Sequence, residues 1–305
     1  MNLREHLEHY LTLRRALGFT LKEEGKLLAK FVTSLETTGA TTITSDVAIA
    51  WAKEPVGVSP NCWAKRLGVV RHFCVYLATI DETTEVPPTG VFPTSRHRPT
   101  PYLWKEGEIT ALLEATAQLR PPFRAATHEA LFGLLAATGM RLGEATGLLR
   151  DDVDLAAGVI TIRHAKFDRE RLVPLHQSTT AALRAYATRR DGRWPASRER
   201  AFFCSSVGTA LFHSGVQLVM QEITTQLGLR RDGVRPRIHD LRHSFAVRTL
   251  LEWQRAGVSV DANIATLSTY LGHVAPSDTY WYLSASPELM ALAATRLDAR
   301  YGADQ

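Results

Sequence analysis

Cysteine is scarce in this chain: 3 among 305 residues, Cys62, Cys74 and Cys204. They are odd in number, far apart, and none forms a Cys-x-x-Cys pair. That excludes a disulfide framework and a zinc ribbon, and leaves three reduced thiols. No apolar run approaches the ~20 residues that a bilayer-spanning helix needs. The opening Met-Asn-Leu-Arg-Glu-His starts an amphipathic pattern rather than a signal-peptide apolar stretch, so the expected location is the cytoplasm, with no membrane partner. No Gly-x-x-x-x-Gly-Lys-Ser/Thr phosphate loop is present, which argues against nucleotide-driven chemistry. No carboxylate cluster resembles a two-metal nuclease site. The expectation is chemistry done by side chains, without cofactor or metal.

What is there is ordinary in bulk and specific in detail. Hydrophobic residues make 45% of the chain and charged residues 22%, the balance of a globular protein rather than a disordered one. The length suggests two domains. A net charge of +5 points towards nucleic acid or an anionic surface without deciding between them.

Residues 1–82 read as a helical bundle. Leu3, Leu7, Tyr10 and Leu11 step at helical spacing, and Leu21, Leu27, Leu28 and Phe31 follow. Thr44-Ser45-Asp46 starts a short helix with Val47, Ala50 and Trp51. Pro60 opens another, with Trp63, Leu67, Val70, Phe73 and Leu77 along one side. Lys65, Arg66 and Arg71 on that helix are candidate phosphate contacts, with a solvated polar face as the plainer alternative. Residues 83–101 carry Pro87, Pro88, Pro93, Pro99 and Pro101 and read as an extended linker. Arg96 and Arg98 make it basic and are candidate phosphate contacts, with a merely solvated linker as the equal alternative. Residues 102–305 return to helical patterns, interrupted by two strands, Val159–Arg163 and Arg171–Leu175. The expected fold class is mainly α with a small antiparallel β-sheet: an N-terminal bundle and a mixed α+β second domain.

Five pieces of that second domain form a set. They are Thr138-Gly139-Met140-Arg141-Leu142-Gly143-Glu144, Lys166 between the strands, His239-Asp240-Leu241-Arg242-His243, Leu271-Gly272-His273, and Tyr282. Each alone has a plain structural explanation: a surface ion pair, a solvated lysine, a helix C-cap, a packed aromatic. Those explanations do not predict the set in this order. Together the segments resemble the tyrosine recombinase (phage integrase) family: its two arginine boxes, its third box, and its nucleophile. The resemblance is specific from about 102 to 295, and over the bundle it rests on helix pattern alone.

The resemblance implies a catalytic domain that works with the bundle as a clamp on duplex DNA, in a tetramer of identical protomers. Arg141, Lys166, His239, Arg242, His273 and Tyr282 would be catalytic, with Glu144 orienting an arginine. Residue chemistry suits this. Phosphoryl transfer accumulates negative charge on non-bridging oxygens, which guanidinium forks grip. A phenol of reference pKa ~10 needs a base or positive surroundings to attack. The 5′-oxygen leaves poorly unless protonated, and Lys166 is the candidate acid. The ester would retain the bond energy, so that another 5′-hydroxyl can rejoin the strand without ATP.

Three other readings compete. His239 and His243, four apart with Asp240 between them, could ligate zinc as in a metallopeptidase. A basic two-domain chain could bind DNA without catalysis. A type IB topoisomerase would share the chemistry and the catalytic fold. After Tyr282, Ser286-Pro287-Glu288 looks like the start of a helix carrying Leu289, Leu292, Ala293 and Leu297. Such a helix either docks on a neighbouring protomer or folds back on its own domain.

Overall fold

A computed structural model describes residues 2–40, 42–94, 100–165, 169–194, 200–273, 275, 277–284, 288–291 and 294. The chain divides into two compact units, Met1–Arg98 and Pro99–Gln305.

The first unit is a bundle of α1 (Leu3–Ala16), α2 (Lys22–Thr38), α3 (Ser45–Lys53) and α4 (Pro60–Leu77). Side chains start two of these helices. The Asn2 oxygen accepts from the Glu5 backbone N–H, and Thr44 does the same for Val47. Their apolar stripes meet in a core that includes Leu28, Phe31, Leu35, Val70, Phe73 and Leu77. Burying each large side chain contributes about 1.5–3 kcal/mol. Part of the expected 83–101 linker belongs to this unit. The Glu85 N–H donates to the Ile43 carbonyl, and the Ser45 N–H donates to the Glu85 carboxylate. Phe92 is buried against Trp63. The prolines rule out a helix, but Val86, Val91 and Phe92 between them supply apolar anchors.

Arg66 is taken up inside this bundle. Its guanidinium lies 3.7 Å from the Trp51 ring centroid and donates to the Trp51 carbonyl at 2.7 Å. It holds the end of α3, which leaves less of it for a phosphate. Lys65 is exposed and Arg71 half-buried. Arg96 and Arg98 lie outside the described residues.

The second unit begins with α5 (Glu106–Ala117), α6 (Pro122–Thr138) and α7 (Leu142–Thr146). An antiparallel sheet follows in the order β1 (Val153–Asp154), β2 (Val159–Ala165), β3 (Arg169–Pro174). Then come α8 (Gln177–Arg193), α9 (His213–Gln226), α10 (Ile238–Arg255), α11 (Val260–Leu271) and α12 (Ser277–Ser284). The protein is thus mainly helical with one small antiparallel sheet. Helix α6 is apolar nearly all round and runs through the core, with Leu131, Phe132, Leu134 and Leu135 buried. Its buried Thr127 and Thr138 donate to carbonyls one turn back, so neither hydroxyl is left unsatisfied. In the sheet Ile160 pairs with Val173 and Ile162 with Arg171.

Helix α12, which carries Tyr282, is a separate short element that periodicity does not reveal. Its core, Tyr280-Trp281-Tyr282-Leu283, is aromatic and apolar without a stripe. After it, Leu289 is buried with residues of α10 and α11, and Glu288 pairs with Arg255 of α10. The described start of the terminal helix therefore packs on its own domain. Among the described residues, no helix is long and apolar enough to cross a membrane.

Candidate active site

Helices α6 and α11 end at glycines, and those two ends build the site. Gly139 closes α6 with φ +63°, and Gly272 closes α11 with φ +68°, a conformation that disfavours any other residue. Space forbids a side chain as well. A Cβ on Gly139 would lie 2.6 Å from the Phe245 ring, and one on Gly272 would lie 2.6 Å from the Arg171 guanidinium.

The carbonyls at a helix C-terminus lack intrahelical partners and carry the negative end of the helix dipole. Here arginines fill them. At α11, the Tyr270 carbonyl accepts from Arg171 Nε at 3.0 Å. The Leu271 carbonyl accepts from Arg242 at 2.7 Å, and the Gly272 carbonyl from Arg141 at 2.8 Å. At α6, the Gly139 carbonyl accepts from Arg242 at 2.8 Å. Arg242 ties the two helix ends together. It is 2% exposed, and a buried guanidinium is costly without compensation. Its partners are two carbonyls and the Tyr282 phenol rather than a carboxylate. Burial, then the nearby Arg141 charge, lowers its pKa to about 10, so it stays charged.

Arg141 stands just before α7, and Glu144 returns to it within one turn. The Glu144 carboxylate accepts from the Arg141 N–H and from the Arg141 guanidinium, both at 2.9 Å. It also accepts a fork from Arg171 at 2.9 and 2.7 Å. Burial raises the carboxyl pKa, but the bonds from Arg171 and Arg141 outweigh it, and the net shift is downward.

Tyr282 is 2% exposed, whereas Tyr280 is 46% exposed. The Tyr282 ring stacks on His273 with centroids 6.0 Å apart and sits 5.4 Å from His243. His243 in turn meets His239 at 4.6 Å. Burial raises the phenol pKa. The charge and hydrogen bond of Arg242, with the charge of Arg141, pull down without prevailing. The resting nucleophile candidate is a neutral phenol facing two cations.

His273 Nδ1 lies 2.7 Å from the Thr279 hydroxyl, which fixes the ring. Burial first, then Arg242 and Arg141, depresses its pKa to about 4. Solvent reaches His239 at the rim of the site. Its pKa is also lowered, by the surrounding protein and then by Arg242. Both rings are neutral at neutral pH.

The sequence-predicted Arg141, Glu144, His239, Arg242, His273 and Tyr282 thus converge. Lys166 lies outside the described residues. Asp240 does not serve a metal-ligating pair of histidines. Both its oxygens accept from Arg237, which also donates its backbone N–H. Among the described residues, no group of three or more His, Cys, Asp or Glu is placed to hold a metal. Sequence reading missed Arg171. The signal was ambiguous because Arg171-Leu172-Val173 offers two alternations. The structure turns Val173 and Arg171 inward and leaves Leu172 64% exposed.

Residues 104–288 match the model of the phage integrase family. The chain belongs to that family. The matched stretch of this integrase-family chain holds every residue of the site and excludes the bundle. A relative named putative integrase/recombinase y4rB, from Sinorhizobium fredii, is 42% identical over 98% of both chains. The tyrosine recombinase XerD of Listeria monocytogenes serovar 1/2a is 27% identical over 92% of this chain and 93% of its own. Among solved structures, the Tn1549 transposon integrase in complex with transposon right end DNA superposes with TM-score 0.66. It covers 99% of this chain and 100% of its own, at 14% identity, which shows a shared fold.

The depressed His273 pKa has a consequence for stability. The fold favours the neutral ring, whose unfolded pKa is ~6.5. The contribution is present above that value and is lost as pH falls through the window from ~6.5 to 4. His273→Gln should be less penalised by acid than the wild type. Allowing for partial exposure, the stability difference between the two proteins should narrow by about 1 kcal/mol between pH 7 and pH 5. Denaturant unfolding at the two pH values measures it.

Proposed function

We propose that this integrase-family chain is a site-specific DNA recombinase that cuts and rejoins duplex DNA through a 3′-phosphotyrosine. The observation that carries the reading is the sheltered Tyr282 phenol facing two arginines that the ends of α6 and α11 hold in place. Tyr282 Oη attacks the scissile phosphorus, the bond to the 5′-oxygen breaks, and the phosphate stays esterified to the enzyme. Arg141 and Arg242 take the charge that develops on the non-bridging oxygens. Burial is the main cause of the low His273 pKa, and a bound phosphate offsets the next, the charges of Arg242 and Arg141, which makes the ring a better acceptor for the phenol proton. A 5′-hydroxyl from another strand reverses the step.

The substrate is duplex DNA carrying a recombination site. Exchanging two duplexes requires four cuts, and a tetramer of this chain supplies four nucleophiles. The place of action is the cytoplasm, where bacterial DNA lies. Lys65 and Arg71 of the bundle, with Arg96 and Arg98, contribute phosphate contacts that bring affinity rather than sequence reading. The test is to incubate the protein with a random-sequence duplex library and recover DNA held covalently after denaturation. Enrichment of one sequence with a protein-linked 3′ end supports the reading. Recovery of no covalent DNA overturns it.

Lys166 is the proposed general acid for the departing 5′-oxygen. Lys166→Ala should cleave ordinary DNA about 10²–10⁴-fold more slowly. With sulfur in place of the bridging 5′-oxygen, the leaving thiol has a reference pKa of ~8.5 and departs without an acid. The variant should then recover most of its rate, while Arg141→Ala should not. Equal rescue of both, or of neither, points to another acid, with His239 first.

A further inference from the structure

Arg171 bonds the carboxylate that holds Arg141 and the end of the helix, α11, whose carbonyls hold both site arginines. It is 11% exposed on β3, and Glu144 beside it is 10% exposed. One edge of its guanidinium forks onto Glu144, the carboxylate that also holds Arg141. Its Nε holds the Tyr270 carbonyl. The next two carbonyls in the chain, of Leu271 and Gly272, hold Arg242 and Arg141. Three consecutive carbonyls at one helix end therefore each carry one arginine. Gly272 has no side chain exactly where the Arg171 guanidinium passes.

We infer that Arg171 is a positioning residue for strand cleavage, acting through Glu144 and the end of α11. The inference rests on the proposed recombinase reading. The charges explain why such a residue is needed. Glu144 steadies Arg141, yet a lone carboxylate would also cancel its charge and draw the guanidinium away from a phosphate. Arg171 offsets that carboxylate with a second cation and fixes its orientation with a two-point fork. Arg141 is then held by a neutralised partner, and its own charge remains available to the non-bridging oxygens. The same side chain fixes the Tyr270–Gly272 backbone, so loss of Arg171 loosens the acceptors of both arginines at once. A lysine has no fork and cannot hold Glu144 on two oxygens while bonding the Tyr270 carbonyl.

The experiment compares wild type, Arg171→Gln and Arg171→Lys in single-turnover cleavage of a nicked duplex. The duplex is built on the sequence that the wild type selects from the random library. Each protein is tested on the ordinary phosphodiester and on a duplex with a methylphosphonate at the scissile position. That analogue lacks the non-bridging charge that Arg141 and Arg242 serve. Arg171→Gln should bind the duplex within about threefold of wild type, because most affinity comes from other phosphates. It should cleave the phosphodiester at least about 30-fold more slowly, the scale of losing a preorganised donor. On the methylphosphonate the gap to wild type should close at least about fivefold, because less charge needs stabilising. Arg171→Lys should follow the same pattern with a smaller defect, and it supplies the comparison if the glutamine variant does not fold. A smaller phosphodiester defect for Arg171→Gln, or a defect of equal size on both substrates, overturns the inference. For Arg171→Lys alone, an equal defect on both substrates, or none, does so. If the wild type itself forms no covalent adduct, the recombinase reading fails rather than the role of Arg171.

Discussion

Tyr282→Phe should bind duplex DNA as the wild type does and form no denaturant-resistant adduct with it. The expected loss of cleavage is complete to background, because the missing oxygen is the atom that would form the bond to phosphorus. Removing the hydroxyl leaves the ring packed against His273, His243 and Trp281 but takes one hydrogen bond from the buried Arg242, so stability should fall by about 1–3 kcal/mol. A cooperative thermal transition above the assay temperature together with normal DNA binding would then separate chemistry from folding. Tyr280 is the internal control. It is 46% exposed, so Tyr280→Phe should cleave at the wild-type rate. An adduct of normal yield in Tyr282→Phe, mapped by peptide mass to Tyr280, would reverse the assignment.

Arg141→Lys and Arg242→Lys should each slow cleavage about 10²–10³-fold, nearly as much as alanine, since an ammonium does not reproduce a fork. The two should differ in stability. Arg242 bonds carbonyls on two different helices and is 2% exposed. A lysine there leaves at least one buried carbonyl without its donor, at about 1–3 kcal/mol. Arg141 has 35% of its side chain exposed, and the carbonyl it would release can turn to water. Arg242→Lys should therefore show a clearly lowered Tm and Arg141→Lys a nearly unchanged one. Cleavage within a few-fold of wild type for both variants would refute the phosphate-gripping roles. Equal destabilisation of both would refute the account of Arg242 as the tie between α6 and α11.

The tie and the two glycines show what could be read in advance and what could not. Leu271-Gly272-His273 is legible as a helix end, because glycine at positive φ is a local preference, whereas the stop of α6 at Gly139 emerged only in the structure. Arg141, His239, Arg242, His273 and Tyr282 were legible as a set because their segments together resemble the boxes of the integrase family. The packing of Arg66 was not legible, for a physical reason. On a helical wheel it sits at the edge of the polar face, and nothing local shows that Trp51, fifteen residues earlier, lies under it. The anchoring of residues 85–92 on the bundle was hidden for a similar reason. Prolines forbid a helix but say nothing about whether Phe92 finds a core.

The sequence by itself determined the mainly helical class, the two-part organisation of the pattern and the helix stop at Gly272, which follow from local preferences and periodicity acting over a few residues. It named the candidate chemical groups through the resemblance of their segments to the integrase family. Only the tertiary structure decided which arginine bonds which carbonyl. Arg242 meets Gly139 across 103 positions of sequence, and Arg141 meets Gly272 across 131. Arg171 entered the site on the same terms, through Tyr270 at a separation of 99. A guanidinium five bonds from the backbone has no local rule for its partner. The packing of α10 and α11 against α6 and β3 sets that partner, because it brings orphan carbonyls within reach of buried charge.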